Sequence, residues 1–258
     1  MTINNITTPP YIIIITLFII TSIISLVFLF QKYPPHYRAH NQPNLQFVHI
    51  PKNAGTTIEH LAKTKGILWG RFNTTLDTLH NIHCNFWHIP PKYLMHTYYN
   101  RPNTKTFCVV RDPFERVVSA YIHAHQNHYY MHTPHNMNHW IHTHLTNIAT
   151  KGHVLDCHFI PQHEYIYDDQ GNRTCDHIID FHNLNSQFNR LMKKYKIPLD
   201  ISKFNKKNVS SEIHKSKQHK YNTQTPLTKH HLDEWSKGII LNVYHKDFQI
   251  PQLQRFLL

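Results

Sequence analysis

At 258 residues the chain has room for one substantial domain, and nothing in it repeats at the period of a solenoid or a propeller. Its 27 Lys and Arg against 15 Asp and Glu give a formal net charge of +12. That charge suits an anionic partner without choosing among a nucleotide, an acidic glycan, a nucleic acid and a lipid surface. The 26 histidines are scattered, and compositional bias accounts for most of them.

Residues 1–10 read as a short tail before "YIIIITLFIITSIISLVFLF", residues 11–30. This run is uncharged, has no polar helix face and is long enough to cross a bilayer core, so it is expected to be a transmembrane anchor. It lacks the basic start and small-residue cleavage site of a removable signal peptide. Lys32 and Arg38 follow the run and no Lys or Arg precedes it, which by the positive-inside rule puts the large domain in the cytosol. The sequons at Asn73, Asn172 and Asn208 point the other way, since they are glycosylated only in a lumenal domain, while the Asn5 sequon would then be hidden.

"QKYPPHYRAHNQPN", residues 31–44, is proline-rich and aperiodic and reads as a stem. The globular domain, residues 45–258, opens with "LQFVHI" as a buried strand. The turn "PKNAGTT" and a helix over "TTIEHLAK" follow, with Thr56 or Thr57 as cap and Glu59 in the first turn. "KTFCVV" is a second buried strand, and "PFERVVSAYIHAHQ" a helix opened by Pro113. Two strand-turn-helix units predict an α/β domain with a parallel sheet. Further helices are expected at about 138–150, 184–195 and 228–243, and residues 154–180 read as loop with a short strand near "HIIDF".

Amides exposed at a helix start bind anions, and Lys52 in the turn adds a point charge, so "PKNAGTT" is a candidate phosphate or sulfate site. It lacks the G-x-x-x-x-G-K-[ST] of a nucleoside triphosphate loop, and no predicted strand ends in an acidic residue to hold magnesium, which weakens a kinase reading. In "FCVVRDPFERVVSAY", Arg111 stands at the carboxyl end of a strand, where open α/β sheets bind ligands, and Ser119 lies about two turns into the helix. Both can bond a phosphate. Glu115 and Arg116 read instead as helix-start salt-bridge partners. Cys84, Cys108, Cys157 and Cys175 lack zinc spacing; Cys108 reads as a buried thiol, and Cys157 with Cys175 as a disulfide if the domain is lumenal. The histidine pairs "HAH" and "HTH" do not share a helix face and are assigned no metal.

Together "PKNAGTT" and "RDPFERVVSAY" resemble the two cofactor motifs of the membrane-anchored carbohydrate sulfotransferases of the heparan and chondroitin type. The similarity runs more weakly through "FIPQHEYIYDDQGNRTCDHIIDFHNLNSQFNRLMKKYKI" to "VYHKDF". The resemblance implies a P-loop-like three-layer fold with a central parallel sheet. It also implies 3′-phosphoadenosine 5′-phosphosulfate as donor, a carbohydrate rather than a nucleic acid as partner, and no metal. Pro51, Lys52, Asn53, Ala54, Gly55, Thr56 and Thr57 would hold the 5′-phosphosulfate, and Arg111 and Ser119 the 3′-phosphate. The basic stretch at Lys206 and Lys207 would close over the nucleotide.

The family also implies a type II Golgi protein with a lumenal catalytic domain. In "DFHNL" the acidic residue that the family commonly carries is His182, read as structural. Members that sulfate hexuronic acid place a histidine base between the two motifs, an interval that here holds His60, His80, His83, His88 and His96. His88, a few residues before Tyr-Leu, fits that pattern best, and His83 is second. The competing readings are a P-loop-like nucleotide kinase and a membrane-tethered anion- or glycan-binding protein that has lost catalysis.

Overall fold

Among the described residues, three short parallel strands form the central sheet, and each presents side chains to either face in alternation. β1 is Leu45–Val48, β2 is Lys105–Val110 and β3 is His177–Asp180, in spatial order β1-β2-β3. The computed structural model describes residues 43–72, 84–94, 99, 103–151, 154–204 and 226–257. The apolar run at 11–30, the stem up to residue 42, His83, Asn73, Asn208, Lys206 and Lys207 lie outside the described residues. Among those described, no helix is long and apolar enough to cross a membrane.

Register pairs Phe47 with Phe107 and Cys108 with Ile178, so β2 is the central strand. Leu45, Phe47, Phe107, Val109 and Ile179 point to one face, where they meet α1 (Gly55–Lys63) through Ile58, Leu61 and Ala62. Phe188, Leu191 and Met192 of α6 (Leu184–Lys194) complete that layer. Both helices use the i, i+3, i+4 spacing that makes one apolar stripe. Val48, Cys108 and Val110 point to the other face, covered by Ile160, Tyr165, Ile166, Ile250 and Leu253. A parallel sheet buried on both faces explains why its strands read as apolar runs. Each fully buried Phe, Leu or Ile contributes about 1.5–3 kcal/mol of transfer free energy.

α2 (Pro113–Ala124) follows β2; Asp112 caps it by accepting from the Phe114 amide at 2.9 Å, and Pro113 takes the first-turn position. Beside it pack α3 (Pro134–Trp140), a wider π-turn over Ile141–Leu145, and α4 (Thr146–Lys151), which run on without a break, so the helix expected at about 138–150 is present with a π-turn inside it. α5 (His163–Ile166) is a single turn within the expected loop region. The expected helix at 228–243 is divided: a 3-10 turn at Lys229–His231 precedes α7 (Glu234–Val243), whose cap Asp233 accepts from Ser236 at 2.7 Å.

The cysteine expectations are corrected. Cys108 is no free thiol: it is bonded to Cys175, just ahead of the neighbouring strand β3, with Cα atoms 6.1 Å apart. Cys157 is bonded not to Cys175 but to Cys84, with Cα atoms 5.8 Å apart. Strand pairing brings Cys175 to Cys108, which leaves Cys157 for the loop that carries Cys84. Asn172 is exposed in a turn, its side chain donating to Asp168 at 3.0 Å. Replacing Cys84 and Cys157 together by serine opens a cross-link spanning 73 residues. It is expected to lower stability by about 2–4 kcal/mol. Urea denaturation measures this, and an unchanged midpoint means that the bond is not closed in solution.

Candidate functional site

The turn between β1 and α1 is built without a side-chain cap. Ala54, not Thr56 or Thr57, is the N-cap, with φ 66°, and Lys52 has φ 69°. Left-handed backbone at non-glycine residues is uncommon and costs about 1–3 kcal/mol each, so the surroundings must hold it. What it achieves is exposure of amides: the first turn of α1 has no intrahelical acceptor, and Ala54 offers no side chain to satisfy it. That is the local geometry of an anion cradle. Gly55 is required because a Cβ there would overlap the His49 ring packed beneath it.

Glu59 does not serve the first turn. It is fully buried, bonded to His49 Nδ1 at 2.6 Å and to Arg71 Nε at 2.8 Å. Burial pulls its pKa up, but His49 and Arg71 outweigh that and hold it below the usual carboxylate range. Arg71 in turn donates to Thr56 Oγ1 at 2.9 Å, tying the loop after α1 back to the cradle.

Lys52, Arg111 and Ser119 line one pocket of about 510 Å3, together with Glu115, His123, Lys229 and His230. Burial, and then the charge of Arg111, push the Lys52 ammonium down to about 8. Arg111 reaches Glu115 at 3.3 Å and the Lys52 carbonyl at 3.4 Å, with its guanidinium over Phe181. Lys229 crosses from the far wall to Asp112 at 2.7 Å and Glu115 at 3.5 Å. Burial would lower Lys229, but these carboxylates raise it, so it stays cationic. Glu115 thus belongs to an ion-pair cluster as expected, and His182 Nε2 joins it at 3.3 Å.

Arg116 does not join that cluster. It is buried, and its guanidinium donates to the carbonyls of Pro51, His158 and Ile160 at 3.1, 3.1 and 2.8 Å. It pins the turn from below. Gln162 joins the two motifs directly: its Oε1 accepts from Asn53 Nδ2 at 2.7 Å and from the Arg111 amide at 2.9 Å. Its Nε2 donates to the Arg111 carbonyl at 2.8 Å, and its own amide to Asp247 at 3.0 Å.

His88 is buried, 8 % exposed, and lies outside the pocket lining. Its ring stands against His49 at 4.8 Å and His158 at 4.9 Å, and His158 leads to His123 of the pocket at 4.8 Å. Nδ1 of His88 lies 2.9 Å from Asp156, and Nε2 accepts from Trp87 Nε1 at 3.1 Å. Indole is only a donor, so Nε2 is unprotonated and the proton sits on Nδ1, toward the carboxylate. Burial pushes His88 down despite Asp156; it also raises Asp156, but the bonds from His88 and Asn85 prevail and hold that carboxyl near about 2. The pair is therefore a neutral imidazole beside a carboxylate. Burial and the neighbouring histidines also push His158 down, to about 2.

Leu155, Asp156 and Cys157 all have positive φ, 52°, 55° and 60°, a run that costs about 1–2 kcal/mol per residue. Donor atoms of His88, Asp156 and His158 lie within 4.8 Å of one another, as around a divalent ion. Both His88 nitrogens are committed, however, and we assign no metal. The expectation that no strand ends in an acid is corrected by Asp180 at the end of β3. Its oxygens are taken by Arg255 at 2.6 Å, Asn183 at 2.7 Å and the His182 amide at 3.1 Å. Asp156, His158, Gln162 and Lys229 were not singled out in the sequence, and His123 entered only through the "HAH" pair, which was assigned no metal; "FIPQ", within the weaker family similarity, hinted at Gln162.

The chain was compared with known proteins. A family model described as the sulfotransferase family matches residues 35–250. No curated protein and no solved structure matches it significantly.

Gln162→Leu removes one of the two acceptors of Asn53 Nδ2, which keeps the Val109 carbonyl, and takes a partner from both backbone groups of half-buried Arg111. It should cost about 2–4 kcal/mol, since each unsatisfied buried group carries its own desolvation penalty. Chemical denaturation measures the loss; a variant as stable as the parent shows that the bridge does not hold the two turns.

Proposed function

The chain belongs to the sulfotransferase family, and we propose that it moves a sulfuryl group from 3′-phosphoadenosine 5′-phosphosulfate to a hydroxyl of a carbohydrate acceptor. One observation carries this reading: Lys52 of the first motif and Arg111 and Ser119 of the second line the same pocket. Its volume of about 510 Å3 is ordinary for a small-molecule site, and its cations come from both ends. The residues present fit a donor with separated anionic groups.

When bound, the donor supplies the sulfuryl group and a phosphate leaving group. The amides of the Ala54 turn and Lys52 hold the phosphosulfate end; Arg111 and Ser119 hold the 3′-phosphate. As the acceptor oxygen bonds sulfur, its proton passes to His88 Nε2, while the broken S–O bond leaves its electron pair on the phosphate oxygen, countered by Lys52. His88 lies outside the pocket lining, and its packing on His49, which lies under Gly55 at the start of α1, is what supports this role. The Trp87 indole keeps Nε2 occupied until a hydroxyl replaces it.

The same reading makes residues 11–30 the signal anchor of a type II Golgi protein with its catalytic domain in the lumen. Support comes from the cysteines, all four of which are paired as suits an oxidising compartment.

The direct test is incubation of the protein with radiolabelled donor and a panel of glycans, proteoglycans and glycolipids. Transfer to at least one carbohydrate is expected; label passing only to non-carbohydrate hydroxyls sinks the acceptor class. Binding separates the residues. Arg111→Ala should weaken adenosine 3′,5′-bisphosphate by about 2–5 kcal/mol in calorimetry, and equal affinity in a folded variant removes Arg111 from the site.

The parent's affinity for this anion should be full below pH 8 and fall as pH rises through about 8, where the free Lys52 ammonium deprotonates. Lys52→Ala should flatten that dependence. A profile unaltered by the substitution would assign the titration elsewhere.

A further inference from the structure

We infer that Asp156 is a positioning residue that fixes the tautomer and orientation of His88, held in place by the Cys84–Cys157 bond. The inference rests on the reading that His88 takes the acceptor's proton. Four observations converge on Asp156. Its Oδ2 receives the His88 Nδ1 proton at 2.9 Å, while Trp87 at 3.1 Å marks Nε2 as the free-electron-pair side. Asn85 donates to the same carboxylate twice, from its amide at 2.6 Å and its Nδ2 at 2.7 Å, which orients both oxygens.

The third observation is backbone conformation: Leu155, Asp156 and Cys157 are all left-handed, and such strain persists only where the surroundings impose it. The fourth is the disulfide, whose halves flank the pair on both sides, Cys84 next to Asn85 and Cys157 next to Asp156. A strained turn, stapled beside the histidine and fully hydrogen-bonded to it, does more than fill space. An imidazole that must accept a proton on Nε2 becomes a cation with its other proton on Nδ1. A fixed carboxylate at Nδ1 both selects the reactive tautomer and stabilises that cation.

The groups facing His88 are Asp156 and Asn85 on the strained-turn side, His49 behind it, Glu59 through His49, His158 toward the pocket, and Tyr165, whose hydroxyl donates to the His88 carbonyl at 2.7 Å. Among these, Asp156 is the carboxylate in direct contact.

The test compares Asp156→Asn, Asp156→Glu and His88→Ala in the full chain, reading kcat, bisphosphate affinity and imidazole 15N resonances. Asparagine leaves an oxygen for the Asn85 donors but turns an N–H toward Nδ1, forcing the His88 proton to Nε2. Turnover by Asp156→Asn should fall by about 10²–10⁴-fold while nucleotide affinity holds, and the His88 spectrum should change from the Nδ1–H to the Nε2–H form. Asp156→Glu should recover part of that turnover. The acid limb of the rate profile should move to lower pH in the asparagine variant, because the carboxylate that favours imidazolium is gone.

Full turnover by Asp156→Asn beside an inactive His88→Ala overturns the inference and leaves the transfer reading intact. A parent spectrum with the His88 proton on Nε2 overturns it too, and does not depend on any Asp156 variant folding. If His88→Ala turns over at the parent rate, the base assignment and this inference fall together while Lys52 and Arg111 keep their roles.

Discussion

One buried carboxamide holds the turn after β1 and the turn after β2 in register. Gln162 accepts from Asn53 in the first turn and from the Arg111 amide in the second, while donating to the Arg111 carbonyl. The first turn carries the left-handed backbone of Lys52 and Ala54, a conformation that persists where the surroundings hold it. Asp247 steadies the bridge from the C-terminal segment, and burial raises its pKa against the pull of Arg116. Arg116 then fixes Pro51 by its carbonyl. Lys52 and Arg111 are thus carried on a scaffold braced by buried hydrogen bonds, in which Asn53 Oδ1 is left without a partner.

The histidines divide by environment rather than by number. His88 and His158 are buried and pushed toward neutrality, whereas His142 pairs with Asp233 and stacks on Trp235 at the surface. His123 reaches the pocket, but His125, two residues on, turns back to bond the Tyr121 carbonyl. In a helix such neighbours face different directions. Among the described residues, two buried histidines stand beside a fixed carboxylate, His49 with Glu59 and His88 with Asp156.

The strands, α1, α2 and α6 were legible because continuous apolar runs and period-3.6 apolar patterns are local, and "PKNAGTT" and "RDPFERVVSAY" put their chemistry within a few residues. What the sequence hid was either backbone conformation or long-range partnership. Ala54 in a left-handed conformation replaced the expected threonine cap, and an alanine carries no signal for that role. The Cys157 partner was misjudged because four cysteines allow three connectivities and only the sheet decides among them. Gln162 and Asp156 lie 51 and 68 residues from the groups they bond, so no motif window contains both ends. Helix 228–243 was read as unbroken, whereas Asp233 restarts it, leaving Lys229 in a separate turn that can lean over the pocket.

Lys229 and Arg111 also show how a strongly basic chain can be selective. Neither cation waits bare: Arg111 is paired with Glu115, and Lys229 with Asp112 and Glu115. An entering anion must compete with those carboxylates, while Lys52, depressed to about 8 by burial and by Arg111, gains charge stabilisation only when a negative group arrives beside it. A small monoanion engages one end of this arrangement and repays little of the competition. On the proposed reading, a ligand with anionic groups at both ends would raise the Lys52 pKa and draw Arg111 from Glu115 in one event, so that its two contacts would reinforce each other. Net charge brings anions to the surface, and the internal pairing decides which of them stay.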